Sequence, residues 1–342
     1  MGGIVFFQQA WFFLIGALLV VYSLLDGFDL GIGILFPFLA RDIEEKRMLM
    51  NLIAPFWDGN EVWLVAAGGA LFAAFPNAYA AIFSGFYLAL MLVLFSLILR
   101  AAAIEFWHHD GNRRSFWTWA FTVGSFIPSL LFGVALGNVL AGIPLTSEGD
   151  FAGNFFTLLR PYPLSVGLTG LAAILVHGSV FCALKAGNAV SRRARRIAVF
   201  GWYSFFPLFV FSGVLAYRNL PETFFRPTAW IAAGGVSVAW VLLGRALKKK
   251  DRKRAFLFSS LQFVGLWAVA GSAHYPNIVR AANGSELSLT IFNSSSSPLT
   301  LKIMLAIAVP GLLLVAGYSI YAYRVLRWEE GKGDRRANLT QT

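Results

Sequence analysis

The stretch WFFLIGALLVVYSLLDGFDLGIGILFPFL, residues 11–39, contains no lysine or arginine, and its only ionisable acids are Asp26 and Asp29. It exceeds the roughly 20 apolar residues that a helix needs to cross a bilayer, so it reads as a membrane span with two carboxyl groups inside it. The rest of the chain agrees. Of 342 residues, 58% are hydrophobic, 16% aromatic and 13% charged, and the mean hydropathy is +0.67. A soluble domain has about 45–50% apolar and about 25% charged residues. A water-soluble globular enzyme is excluded, and the expected fold is all-α and polytopic.

Eight further apolar segments follow at 48–75, 78–99, 116–141, 161–184, 197–217, 228–244, 255–276 and 301–323, which makes nine spans. The formal net charge of +11 is a matter of sidedness. Three Lys or Arg residues follow the first span, three the third, five the fifth and seven the seventh, and five lie in the tail. That puts 23 of the 28 on one side and leaves five for the other. Lys and Arg stay on the cytoplasmic side, so the N-terminus is expected outside and a short tail, 329–342, in the cytoplasm. No basic residue precedes Arg41, so the first span lacks the head of a secretory signal and is expected to be retained. All of 1–342 reads as one membrane domain. The run Lys248-Lys249-Lys250-Asp251-Arg252-Lys253-Arg254 is expected to fix topology; contact with anionic lipid is the second reading. No nucleic-acid partner is inferred. The loops 142–160 and 277–300 read as outer connections, the latter with the turn-forming Asn293-Ser294-Ser295-Ser296-Ser297-Pro298.

A carboxyl group at membrane depth costs about 2.5–3.5 kcal/mol to insert, so it must face protein or water and marks a candidate site. Asp26 and Asp29 are three apart and share a helix face. Asp58 and Glu61 repeat that spacing between Trp57 and Trp63, just after Pro55, which should distort the helix start. Buried, paired carboxyls hold protons more tightly and can relay them near neutral pH. The other reading is structural: helix capping, or pairing with Arg100, which closes the third span and reads as a boundary anchor that could form an ion pair. Gly27/Gly31 and Gly133/Gly137 form GxxxG patterns that permit close helix packing.

Ligands for a redox centre are scarce. The lone Cys182 allows no internal disulfide and no cysteine-ligated cluster. Of four histidines, His108 and His109 fall in a cytoplasmic loop and His274 near the end of a span. Only His177 lies inside one, as a hydrogen-bonded core residue or, alternatively, an axial ligand. No HExxH, phosphate-loop or dinucleotide motif occurs. Two function classes remain at this point. One is a proton-conducting subunit of a larger complex. The other is a proton-coupled secondary transporter, which would often show inverted repeats; none is evident.

Leu25-Asp26-Gly27-Phe28-Asp29-Leu30-Gly31-Ile32-Gly33, then Pro55-Phe56-Trp57-Asp58-Gly59-Asn60-Glu61-Val62-Trp63-Leu64 and Ala67-Gly68-Gly69-Ala70-Leu71-Phe72-Ala73-Ala74-Phe75-Pro76 closely resemble subunit II of the bacterial cytochrome bd quinol oxidases. So do Gly124-Ser125-Phe126-Ile127-Pro128, Tyr275-Pro276-Asn277, and the stretches 287–291 and 299–304. The resemblance implies a nine-helix subunit of two four-helix bundles and a peripheral helix in the bacterial cell membrane, paired with a subunit I that carries two haems b, a haem d and the quinol site. The complex would oxidise quinol and reduce dioxygen to water, drawing protons from the cytoplasm. A small single-helix subunit accompanies some relatives, and some hold a structural quinone in subunit II. Residue by residue, the resemblance gives Asp58 a role in proton delivery, with Asp26 and Asp29 near that route, and places Trp63 beside an oxygen channel. One departure is Thr118, which stands where relatives carry an acid shortly before the Gly-Ser-aromatic-x-Pro segment.

Overall fold

The long apolar runs form helices because every backbone amide in a bilayer must be satisfied within its own segment. The computed structural model describes residues 2–339. In chain order the helices are α1 (Gly2–Leu39), α2 (Ile43–Ile53), α3 (Trp57–Ala74), α4 (Pro76–Gly85), α5 (Tyr87–His109), α6 (Arg114–Ala141), α7 (Pro161–Lys185), α8 (Asn188–Asn219), α9 (Pro227–Lys248), α10 (Arg252–His274) and α11 (Pro298–Leu339). Proline opens α4, α7 and α9, where its missing N–H costs nothing. Asp42 and Asp251 cap α2 and α10 through the amides of Glu45 and Arg254.

Eight of the described helices are long and apolar enough to span a membrane: α1 and α5 through α11. The second expected span, 48–75, is not one helix. The chain turns at residues 54–56 around Pro55, leaving the charged, amphipathic helix α2 and the short α3. Asp58, Asn60 and Glu61 in its first turns make α3 less apolar than the eight. The third expected span, 78–99, is likewise redrawn. Phe86 separates α4 from α5, and α5 continues to His109, so Arg100 lies inside a helix and not in a loop. The first part of the expected tail, 329–339, belongs to α11; residues 340–342 lie outside the described residues.

α1 is central, packing against α3, α6 and α7, while α6 bridges α5 and α7, and α7 through α10 pack on one another. α11 touches α1 and α3 and exposes most of its apolar surface. The closest crossings use glycine. A Cβ on Gly31 would run into the Ile174 carbonyl oxygen, one on Gly133 would sit 2.7 Å from the Gly167 Cα, and one on Gly137 2.6 Å from the Pro163 Cα. The expected GxxxG contacts are thus made within the chain, except at Gly27, which has only ordinary neighbours.

At the end of the bundle where α8 meets α9, the polar connections are built rather than loose. Residues 277–290 form a hairpin of β1 (Asn277–Val279) and β2 (Leu289–Thr290). Asn283 exchanges two hydrogen bonds with the Leu145 backbone, at 3.0 and 2.8 Å, tying this hairpin to the other long loop. Arg226 donates to the carbonyls of Ser272 and Tyr275, and Arg280 pairs with Glu222. Ser296 uses its amide and hydroxyl to satisfy the carbonyls of Ala74 and Ala73 at the end of α3. At the opposite end, Glu45 of α2 accepts from Arg193 of α8 at 2.5 Å and from the Arg41 amide at 2.8 Å. The Arg193 bond, with the Arg41 amide, holds the Glu45 carboxyl below its ordinary value. A depressed folded value contributes stability above the unfolded value, about 4.3 for glutamate, and that contribution disappears as pH falls through the lower folded value. Glu45→Gln is therefore expected to lower stability at pH 7 by about 0.5–1 kcal/mol and to leave stability at pH 3 near wild type, which a melting series across pH measures.

Candidate functional site: an arginine among carboxyl groups

Three helices meet at Arg100. Its guanidinium is fully buried in α5, and one nitrogen, Nη2, donates to Asp26 Oδ1 of α1 at 2.8 Å and to Glu61 Oε1 of α3 at 2.6 Å. The Asp26 side chain is also fully buried, whereas Glu61 keeps 27% of its side chain exposed. Burial without an opposite charge would be prohibitive, so the pairing explains how an arginine fits at this depth. It also corrects the reading of Arg100 as a boundary anchor: a hydropathy profile ends a span at any charge, but this helix runs on for two more turns.

Asp29, three residues beyond Asp26, is buried with a different partner. Its Oδ2 accepts from Asn60 Nδ2 at 2.7 Å. Asp26 and Asp29 therefore face the same side of α1 but lean on different groups. Asp58 stands apart from the buried set. It lies in the first turn of α3, exposed, and its Oδ1 accepts from the Gly59 amide at 2.7 Å. Trp57 is half-buried against the cluster of Met50 and Ile53, and Trp63 is buried with Leu18, Tyr22 and Ala67. Around the arginine several buried polar atoms have no hydrogen-bond partner: Asp26 Oδ2, Asp29 Oδ1, Tyr22 Oη, Trp63 Nε1 and Arg100 Nε and Nη1. Such a concentration of unsatisfied groups is unusual in a packed interior, where nearly all are bonded.

Sequence reasoning passed over Asn60 and Tyr22. Asn60 sits inside the quoted motif between two acids, and Tyr22 is one turn before Asp26, so an i, i+4 search from each acid would have found Tyr22. Thr118 is buried, donates to the Arg114 carbonyl at 2.8 Å and accepts from the Trp107 indole at 3.3 Å. It packs the α5–α6 junction.

His177 lies on the far side of α1. One ring nitrogen bonds the Ser259 hydroxyl at 2.8 Å and the other the Leu24 carbonyl at 3.1 Å. Both ring nitrogens are thus engaged by groups of this chain. Among the described residues no group of three His, Cys, Asp or Glu is arranged to hold a metal. Nearby, a cavity of about 1920 Å³ opens between α1 and α6 through α10 and reaches toward the Arg226 end of the bundle. Its lining is overwhelmingly apolar and aromatic, including Phe132, Phe209 and Trp267.

The family profile described as cytochrome bd terminal oxidase subunit II matches residues 7–326. The chain belongs to the cytochrome bd oxidase subunit II family. It is similar to a probable cytochrome oxidase subunit 2 of Haemophilus influenzae, 35% identical over 93% of each chain. It is also similar to the cytochrome bd-I ubiquinol oxidase subunit 2 of Escherichia coli K12, 33% identical over 92% of each. The cytochrome bd ubiquinol oxidase subunit 2 of Bacillus subtilis is 31% identical over 94% of this chain and 96% of that one. A chain of the bd oxidase from Geobacillus thermodenitrificans shares the fold, with a TM-score of 0.78 at 18% identity, covering 93% of this chain and 98% of the other. Cytochrome bd subunit II is part of a terminal oxidase, an oxidoreductase complex, so this is a multi-pass membrane subunit that implies a partner subunit I.

Proposed function

We propose that this subunit II carries protons from the cytoplasm toward the oxygen-reducing centre of a quinol oxidase whose haems b and d and quinol site reside in subunit I. The observation that carries the reading is the Arg100 centre, in which one guanidinium nitrogen holds Asp26 and the partly exposed Glu61. Asp58 lies on the surface one turn before Glu61, whose side chain is 27% exposed and bonded to Arg100. Asp58 would take up a proton, Glu61 pass it inward, and Asp26 hold it beside Arg100. Asp29, bonded to Asn60, forms a side branch. The fixed positive charge of Arg100 keeps the centre from accumulating negative charge while protons move. Trp57 and Trp63 flank this path and would border an oxygen route past it.

Membrane depth argues for the partner's position. Asp58 shares the exposed side of α3 with Val62 and Val65. A carboxylate cannot face lipid cheaply, so this side would be covered by subunit I rather than by acyl chains. With α3 counted as a span, the chain crosses nine times. On that count the basic loops would lie in the cytoplasm of a bacterial cell, and the crossings would divide into α1, α3, α5 and α6, then α7 through α10, with α11 peripheral. The apolar cavity suits the isoprenoid chain of a structural quinone. A small single-helix subunit would find room on the exposed apolar surfaces.

Asp58→Asn in the intact complex tests the relay. Oxidase turnover is expected to fall about ten- to a hundredfold while the haem spectrum stays unchanged. Normal turnover, or loss of haem along with activity, would each refute proton relay through Asp58.

A further inference from the structure

The cavity and the Arg100 centre share one residue. Among Tyr22, Asp26, Asp29, Asn60, Glu61, Trp63 and Arg100, only Tyr22 lines the cavity. It is 5% exposed, its ring stands edge-on to Phe132 at 5.7 Å, and it packs with Trp63 and Leu18. It lies one helical turn before Asp26; its hydroxyl and Asp26 Oδ2 make no bond of full hydrogen-bond geometry, yet the two side chains are close enough to form one. The two side chains share a face of α1, within electrostatic reach of each other and of Arg100 and Glu61.

We propose that Tyr22 is the seal of the proton centre: its ring closes the Arg226-end cavity off from the carboxyl cluster, and its hydroxyl donates to Asp26. The proposal rests on the relay reading above. A cluster that takes protons from the Asp58 end must be shut toward the opposite end, or the gradient the complex builds would discharge through it. The cavity extends to that opposite end, where Arg226, His274 and Tyr275 are among its lining residues. Tyr22 is the member of the cluster that the cavity and the carboxyl groups share. A phenol suits the position on both counts. Its carbon face matches an apolar cavity that excludes water, and its O–H supplies a donor to a carboxylate that would otherwise keep one oxygen unsatisfied. Phe132 holds the ring edge-on and limits its swing.

Ring and hydroxyl are separable by substitution. In the complete complex reconstituted in phosphatidylcholine liposomes with a trapped pH dye, passive proton entry is measured after an acid pulse, with valinomycin and potassium present and no quinol supplied. Tyr22→Phe keeps the ring and is expected to stay as tight as wild type. Its quinol oxidase turnover falls about tenfold, the equivalent of one hydrogen bond to a charged group, and its pH–rate profile moves. Tyr22→Ala opens the wall and is expected to raise passive proton entry at least threefold at unchanged haem content. If Tyr22→Ala does not assemble, Tyr22→Leu decides in its place, with the same leak expected from its narrower side chain. Liposomes as tight as wild type with the assembled small-residue variant overturn the seal. A Tyr22→Phe complex with wild-type turnover and pH profile overturns the hydroxyl's role. Asp26→Asn, run alongside, separates this proposal from its premise. Normal turnover there removes the relay reading itself, whereas loss of turnover with a tight Tyr22→Ala complex removes only the seal.

Discussion

Replacing Arg100 with glutamine is expected to prevent assembly of a stable oxidase. The guanidinium is wholly buried, and its Nη2 is the hydrogen-bond donor to both Asp26 and Glu61. Glutamine leaves two carboxyl groups, with Asp29 close by, in a low-dielectric interior without a counter-charge. Removing one member of a buried ion pair costs about 3–5 kcal/mol, a large share of a membrane domain's margin. The measurement is the yield of haem-loaded complex after purification, with its melting temperature. The informative control is the double substitution Arg100→Gln with Asp26→Asn, which removes the fully buried one of the two orphaned charges and is expected to recover much of the assembly. Wild-type yield from Arg100→Gln alone would show that the cluster is not held by its ion pairs. Arg100→Lys should be milder, because a single nitrogen makes both bonds and an ammonium group can place three donors around a point charge.

The second large effect is expected at Gly178, where α7 crosses α1. A Cβ there would lie 2.6 Å from the Gly31 Cα and 2.8 Å from the Ile32 amide nitrogen, and both are backbone atoms that cannot rotate away. Gly178→Leu forces the helices apart, and overpacking of this kind costs about 1–3 kcal/mol or more. Because Gly31 is only two residues past Asp29, separation at this crossing also moves the two acids relative to α3 and α5. Scanning fluorimetry of the complex should show a clear fall in melting temperature for Gly178→Leu and almost none for Gly27→Ala, whose nearest neighbours are side-chain atoms at 3.8 Å. Equal melting of the two variants would contradict the crossing geometry.

Much of this was legible in the residues. The apolar runs marked the long helices, Pro55 marked the break before α3, and the i, i+3 acids marked the site. The rest was hidden for physical reasons. Arg100 looked like the end of a span because a hydropathy window cannot tell a charge at the interface from one neutralised at depth. Asp58 reads as one of four acids at membrane depth and is exposed, because a sequence shows that a residue belongs to a helix but not which way its side chain faces. Tyr22 is one more aromatic in an apolar run until the cavity beside it is seen. The stretch 277–300 reads as turns, since a hairpin of so few paired residues leaves no alternating pattern.

The shared nitrogen of Arg100 bears on how the subunit is made. A ribosome delivers α1 and α3 to the membrane before residue 100 has emerged, so Asp26 and Glu61 arrive ahead of the one group that neutralises them. Each must wait at the interface or enter as the uncharged acid, and α3 is short and polar at its start. The third partner is α5, and its arrival supplies the guanidinium that pairs with both acids. The ion pair is thus a latch that closes late in biosynthesis, and a chain cut before Arg100 would leave two unfinished helices for the membrane's quality control to find.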